Sequence, residues 1–244
     1  MMGLIKANLY RLFKNNIFIA GLALASVITF YFVKYKPMEI MSSWDASRIM
    51  IFVSAATLLY FSFFTGLFIG GEYKEGAIRN RVIIGYSQLS IYVSNYIAII
   101  IGLVAMYVMW LIGGVAAGVG ISTKLITYMI VAIFYNSGYI GIIMAVSFRV
   151  KNLIIAVISG IGLFYFSFNS ILIMNFFSGD ASGVFGEIYS VFYNIFTMGQ
   201  FFVNSGLMSE EINVGYKNQI LLSIIVCIVA FIAGTMELKN RDIK

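Results

Sequence analysis

The sequence predicts an all-α membrane protein with six transmembrane helices and an N-terminal amphipathic helix lying at the membrane interface. Three observations carry that prediction. Hydrophobic residues make up 61% of the 244 residues and charged residues only 11%, with a mean hydropathy of +0.96. A soluble domain of this length has no core large enough to hide so much apolar surface. Apolar runs of about twenty residues recur along the chain, the length that crosses a hydrocarbon layer about 30 Å thick at about 1.5 Å of rise per residue. Lysine and arginine fall in short clusters at the ends of those runs, which leaves the run centres free of charge.

Residues 4–16 (LIKANLYRLFKNN) come first. On a helix, Leu4, Ile5, Leu9, Leu12 and Phe13 fall on one side, and Lys6, Tyr10, Arg11, Lys14 and Asn15 mostly on the other. A helix of this kind suits the headgroup plane; the plainer reading is a charged start ahead of a span. Six spans follow, near 17–33, 50–71, 91–113, 125–148, 153–177 and 218–236. The first is short, and Lys34 and Lys36 can snorkel at its end. Its apolar stretch outlasts a signal-peptide core, so an uncleaved span is expected. Gly66 with Gly70, and Gly114 with Gly118, are spaced by four and allow close helix approach. A further apolar segment, 184–204, contains Glu187, Asn194, Gln200 and Asn204. It reads as amphipathic helix, either lying at the outer surface or re-entering part-way, because backbone inside a membrane needs protein or water to satisfy it.

Basic residues set the orientation. With both termini inside, the inner segments hold Lys6, Arg11, Lys14, Lys74, Arg79, Arg81, Arg149, Lys151, Lys239, Arg241 and Lys244. The outer segments hold Lys34, Lys36, Arg48, Lys124 and Lys217. The long outer connection near 178–217 carries Asp180, Glu187, Glu210 and Glu211. The expected location is therefore a cytoplasmic membrane, and AT-rich residue usage hints at a bacterial one. The net charge of +6 does not indicate nucleic acid as a partner, since the basic residues form span-end clusters and no single soluble face.

The chemistry that is missing is informative. There is no His, and the single cysteine, Cys227, lies within an apolar run, so neither a disulfide framework nor a Cys/His zinc site is expected. No ionisable residue sits at a span centre, which makes ion-coupled transport an unfavoured reading. No filter-like, HExxH or GxSxG motif occurs. No GxxxxGK[ST] loop is present to cradle ATP phosphates, so the chain is not expected to be an enzyme. A transporter of this kind must draw energy from another polypeptide and needs a surface on which to receive it.

The second inner connection offers one. It holds Glu72, Lys74, Glu75, Arg79 and Arg81 close together. Ala77–Ile84 suits a short helix stopped by Gly85, with Ile78, Val82 and Ile83 on an apolar face beside the two arginines. Such a helix can plug into a groove on a soluble partner; the other reading is a solvated loop rich in positive-inside charge. Within the spans, Asn136, Ser137, Ser167, Asn169, Ser170 and Asn175 could edge a pathway, together with Ser62, Thr65 and aromatic residues such as Tyr135 and Tyr139. Interhelical hydrogen bonding is the weightier reading of those positions.

The stretch GGEYKEGAIRNRVIIGYSQLSIYVSNY resembles the region after the second span of ABC-2-type permeases. The family pattern E-[FY]-K-x-G-T-x-[RK]-x-x-x-x-x-G-x-S-R is matched at Glu72, Tyr73, Lys74, Gly76, Arg79, Gly85 and Ser87. Ala77 stands in place of the customary Thr, and Gln88 in place of the frequent Arg. The resemblance extends to the architecture: a connecting helix over 1–16 and a six-span permease domain over 17–244, of the type V exporter kind, with a coupling helix near 72–86. It implies the membrane subunit of an ATP-driven exporter. Glu72, Tyr73, Lys74, Glu75, Ala77, Ile78, Arg79, Arg81, Val82 and Ile83 would form the interface to the ATPase subunit. Two ATPase subunits, holding the ATP and Mg, and a second permease chain, identical or paralogous, would complete the assembly, with no cofactor in this chain. The implied substrates are amphipathic, such as bacteriocins or other toxic peptides, exported in self-immunity. A membrane anchor or sensor that docks a regulatory protein without transport is the alternative.

Overall fold

The structure, a computed structural model, describes residues 1–177, 183–207 and 212–236. Every regular element among them is helical, and six are long and apolar enough to cross a membrane. The chain is thus an all-helical, multi-pass membrane protein. A short helix α1 (Met2–Phe13) turns at Asn15 into the first span, α2 (Asn16–Tyr35). The Asn15 side chain caps α2 by accepting from the amides of Ile17 and Phe18 at 2.9 and 3.1 Å. A 3-10 turn at Glu39–Ser43 leads to α3 (Ala46–Val53) and α4 (Ala55–Lys74), which together form the second span. The two are separated at Ser54 alone, with no proline involved. The Ser54 hydroxyl bonds back to the Ile51 carbonyl at 2.6 Å and meets the Tyr128 hydroxyl. Side-chain back-bonding of this kind disturbs a helix locally.

The short α5 (Ala77–Ile83) is followed by the long spans α6 (Gln88–Ala116) and α7 (Thr123–Val150), and then by α8 (Leu153–Phe177). Then come α9 (Gly183–Ile195), α10 (Thr197–Asn204) and the last span, α11 (Gly215–Met236). The six predicted spans are all present, each longer than or equal to its sequence estimate. The start of α2 and the end of α11 lie at the same end of the bundle as α1 and α5. The other end carries the 3-10 turn, the start of α3 and the approaches to α9–α11. Residues 237–244, with Lys239, Arg241 and Lys244, lie outside the described residues.

Helix α7 is the centre of the bundle, packed on α11, α4, α8 and α6. Small residues set the closest approaches. Gly66 and Gly70 of α4 lie against the backbone at Ala156 and Leu153 of α8, and Gly160 of α8 lies against the Ser62 carbonyl. The predicted pairing of Gly66 with Gly70 therefore describes a real α4–α8 seam. The other pair needs correction. Gly118 lies beyond the end of α6 at φ +94°, a left-handed turn residue with nothing close to it. The glycine that admits α2 is Gly113, which lies against the Ser26 backbone, while Gly114 faces Met50.

Residues 184–204 form two short helices hinged at Phe196. Neither can cross a membrane, since 13 residues of α9 reach only about 20 Å. The hinge packs against α7 and α4. Thr197 Oγ1 bonds the carbonyl of Tyr135, twelve residues into α7, and Met198 and Phe201 pack in one cluster with Leu58, Tyr139 and Ile143. Buried amides satisfy the hinge. Gln200 Nε2 donates to the Asn194 carbonyl at 2.6 Å and to Ser223 Oγ at 3.2 Å, and Asn194 Nδ2 donates to the Ile212 carbonyl at 2.9 Å.

Candidate partner interface at the basic end

Helix α1 buries Leu4, Asn8 and Leu12 against α6 and leaves Lys6, Tyr10, Phe13 and Lys14 outside. This corrects the two-sided reading of that helix: Phe13 leaves the apolar face for the exterior, and Arg11 turns inward. Asn8 Nδ2 donates to Ser94 Oγ at 3.0 Å, which fixes the register of α1 on α6.

The inward Arg11 meets the best-buried charge among the described residues. Glu72, in the last turn of α4, is 1% exposed and pairs through Oε1 with both Arg11 and Arg81, the latter at 2.7 Å. Its Oε2 accepts from Asn95 Nδ2 at 2.7 Å. Arg11 also stacks 3.8 Å above the Phe68 ring. Burial lowers the Arg11 guanidinium from its ordinary value, and the Glu72 carboxylate opposes that effect. One carboxylate thus ties together α1, α4, α5 and α6. The spans still lack charge at their centres, but Glu72 and Lys74 belong to the end of α4, not to the connection after it. Lys34, Arg48, Lys124, Arg149 and Lys217 likewise sit within end turns of their helices.

Gly76, at φ +68°, turns the chain from α4 into α5, and Gly85, at φ +101°, ends the connection. Between them the predicted helix is present, with Ile84 as its C-cap. Its side chains divide in a way the sequence did not indicate. Ile78 is buried and Val82 and Arg81 are partly buried against the bundle, whereas Ile83 and Ile84 are 72% and 76% exposed. Arg79, Asn80, Lys74 and Glu75 are exposed beside them. Ala77 is partly buried, and Tyr73 donates through its hydroxyl to the Phe148 carbonyl at 3.2 Å, tying α4 to α7. The ten residues assigned from sequence to one interface are therefore brought together as two layers. Glu72, Tyr73, Ala77, Ile78, Arg81 and Val82, all buried or partly buried, form the layer against the membrane domain. Lys74, Glu75, Arg79 and Ile83 face out, joined by Ile84, the predicted end of the helix, and by Tyr86, which the sequence reading passed over. Arg11 and Asn95 were also passed over. The amphipathic pitch of α1 was the only available signal for the first, and there was none for the second.

Five of the six candidate pathway positions have described side chains. Asn136 is buried and donates to the Tyr107 hydroxyl at 2.9 Å and the Ala132 carbonyl at 2.8 Å. Ser137 bonds the Ile133 carbonyl, and Asn169 the Tyr165 carbonyl. Ser167 is buried, Ser170 is partly buried, and the Asn175 side chain lies outside the described residues. None of the described five lines the cavity of about 110 Å³ between α2, α4 and α6, whose walls include Gly21, Ala25, Thr57, Tyr60 and Trp110. Asn136, Ser137 and Asn169 each donate to a carbonyl of their own helix, while Asn136 Oδ1 and Ser167 Oγ are buried without a hydrogen-bond partner. Among the described residues no group of three or more His, Cys, Asp or Glu could hold a metal ion. No protein-family model and no curated protein matches the chain.

Proposed function

We propose that this chain is the permease subunit of an ATP-driven exporter of the ABC-2 class, moving an amphipathic substrate such as a toxic or antimicrobial peptide. The observation that carries the proposal is α5. It is a seven-residue helix held at its root by a buried ion cluster and presents Arg79, Ile83 and Ile84 away from the bundle. Exposed isoleucines on a rigid helix beside positive charge suit insertion into an apolar groove of a soluble subunit. The cluster at Glu72 connects that helix directly to α1, α4 and α6, so a push on α5 reaches three other elements without crossing a flexible joint. The partner ATPases hold the ATP and Mg, and this chain contributes a docking surface and the spans of the pathway. A second permease chain would complete a pathway that the described residues of one chain do not enclose. In this reading the basic end faces the cytoplasm, in line with the positive-inside rule.

Co-purification with the candidate ATPase tests the proposal. Arg79→Glu combined with Ile83→Asp changes only outward side chains and should leave the permease folded. Complex formation is expected to fall at least about tenfold, which corresponds to about 1.4 kcal/mol. Undiminished recovery of the ATPase with this variant would remove α5 from the interface.

A further inference from the structure

The outer side of the elbow between α1 and α2 carries an open groove of about 610 Å³. Leu9, Tyr10, Phe13 and Lys14 line it from the α1 side, and Asn16 and Ile19 from the start of α2. The elbow is fixed rather than loose: Asn15 caps α2, and Phe13 packs edge-on against the buried Phe18 at 5.6 Å. Lys14 Nζ reaches the Tyr10 hydroxyl at 3.3 Å, so an ammonium and a phenol share the rim. Below that rim the wall is apolar and continues through Ile19 onto the exposed face of α2, where Ala23 and Val27 follow at helical spacing. A polar, positive mouth above an apolar wall that runs down a membrane span matches a phospholipid in both its parts.

Charge decides which phospholipid. Residues 1–38 contain no Asp or Glu, and no acidic side chain lines the groove. Lys6 adds a further positive charge on the exposed side of α1. A zwitterionic headgroup would bring a cation next to Lys14, whereas an anionic one would meet only complementary charge. We propose that this groove binds one anionic phospholipid, its phosphate at Lys14 and Tyr10 and an acyl chain along Phe13 and Ile19. No residue of α5 lines the groove, and the proposal does not depend on any ATPase partner. It gives α1 a fixed membrane contact while Leu4, Asn8 and Leu12 hold that helix to α6.

Native mass spectrometry of the full chain, titrated with dioleoyl phosphatidylglycerol or dioleoyl phosphatidylcholine, tests the proposal. The wild-type protein is expected to hold the first lipid about fivefold more tightly, the effect of one basic residue near an anionic surface. Lys14→Gln should abolish that preference and Lys14→Glu invert it. Lys6→Gln, on the same helix but outside the groove, should keep it within about twofold. Both Lys14 and Lys6 are exposed, so each variant should elute as the wild type does in size exclusion. A preference unchanged in Lys14→Gln would overturn the proposal. So would an equal loss in Lys6→Gln, which would indicate diffuse charge. Displacement of the lipid by millimolar glycerol 3-phosphate would assign the mouth to a soluble anion and reject the lipid.

Discussion

Glu72 accepts contacts from three elements while fully withdrawn from solvent, so its removal leaves Arg11 and Arg81 facing each other without a counter-charge. Breaking a buried ion pair from one side costs about 3–5 kcal/mol, far more than an exposed pair contributes. Glu72→Gln should therefore lower the unfolding midpoint in detergent markedly, and Arg81→Met in the same background should restore part of the loss. Additive losses across that double-mutant cycle would show that the pair is not coupled. The importance of Glu72 was legible in the sequence as a motif position, but its inward direction was not. Its partners Arg11 and Asn95 come from distant helices, and the hydrophobic pitch of a single helix carries no information about such a meeting. The split of α5 into Ile78 inside and Ile83 outside has the same cause. On a helix of seven residues, pitch alone cannot say which of two apolar edges meets the bundle.

At the scale of elements, the α4–α8 seam depends on absent side chains. A Cβ on Gly160 would fall on the Ser62 carbonyl, a backbone atom that cannot swing aside, whereas nothing lies within 4 Å of one on Gly162. Gly160→Ala should destabilise the protein by about 1–3 kcal/mol through overpacking. Gly162→Ala should be neutral or slightly stabilising, since alanine favours helix by about 1 kcal/mol over glycine. Equal thermal shifts for the two would contradict the seam. The α9–α10 hairpin makes a separate demand. With Cys227 replaced by Ser, a cysteine at Thr197 should resist a membrane-impermeant maleimide added from outside, while one at Asn213 should react. Rapid labelling at 197 would place the hinge at the surface. Span number and span length were readable because apolar run length reports directly on membrane thickness. The break at Ser54 and the depth of Phe196 were not readable, because each is set by tertiary partners: Tyr128 for the first, and Tyr135 with Gln200 for the second.

Across the whole molecule, α7 forms a packed centre, and α2, α8 and α11 leave most of their surface outward. The basic end gathers α1, the root of α4, α5 and the start of α6 into one block held by Glu72. Force applied at Ile83 and Ile84 would act on that block as a unit, and the α9–α10 hairpin at the opposite end packs on the same central α7. In the proposed function, the outward face of α5 receives work from an ATPase. The most direct measurement is ATP turnover by the candidate ATPase reconstituted in lipid nanodiscs with the permease, comparing the wild type with Ile83→Asp. Permease-dependent stimulation is expected with the wild type and should fall at least about tenfold with Ile83→Asp. A variant that stimulates turnover as well as the wild type would contradict the account.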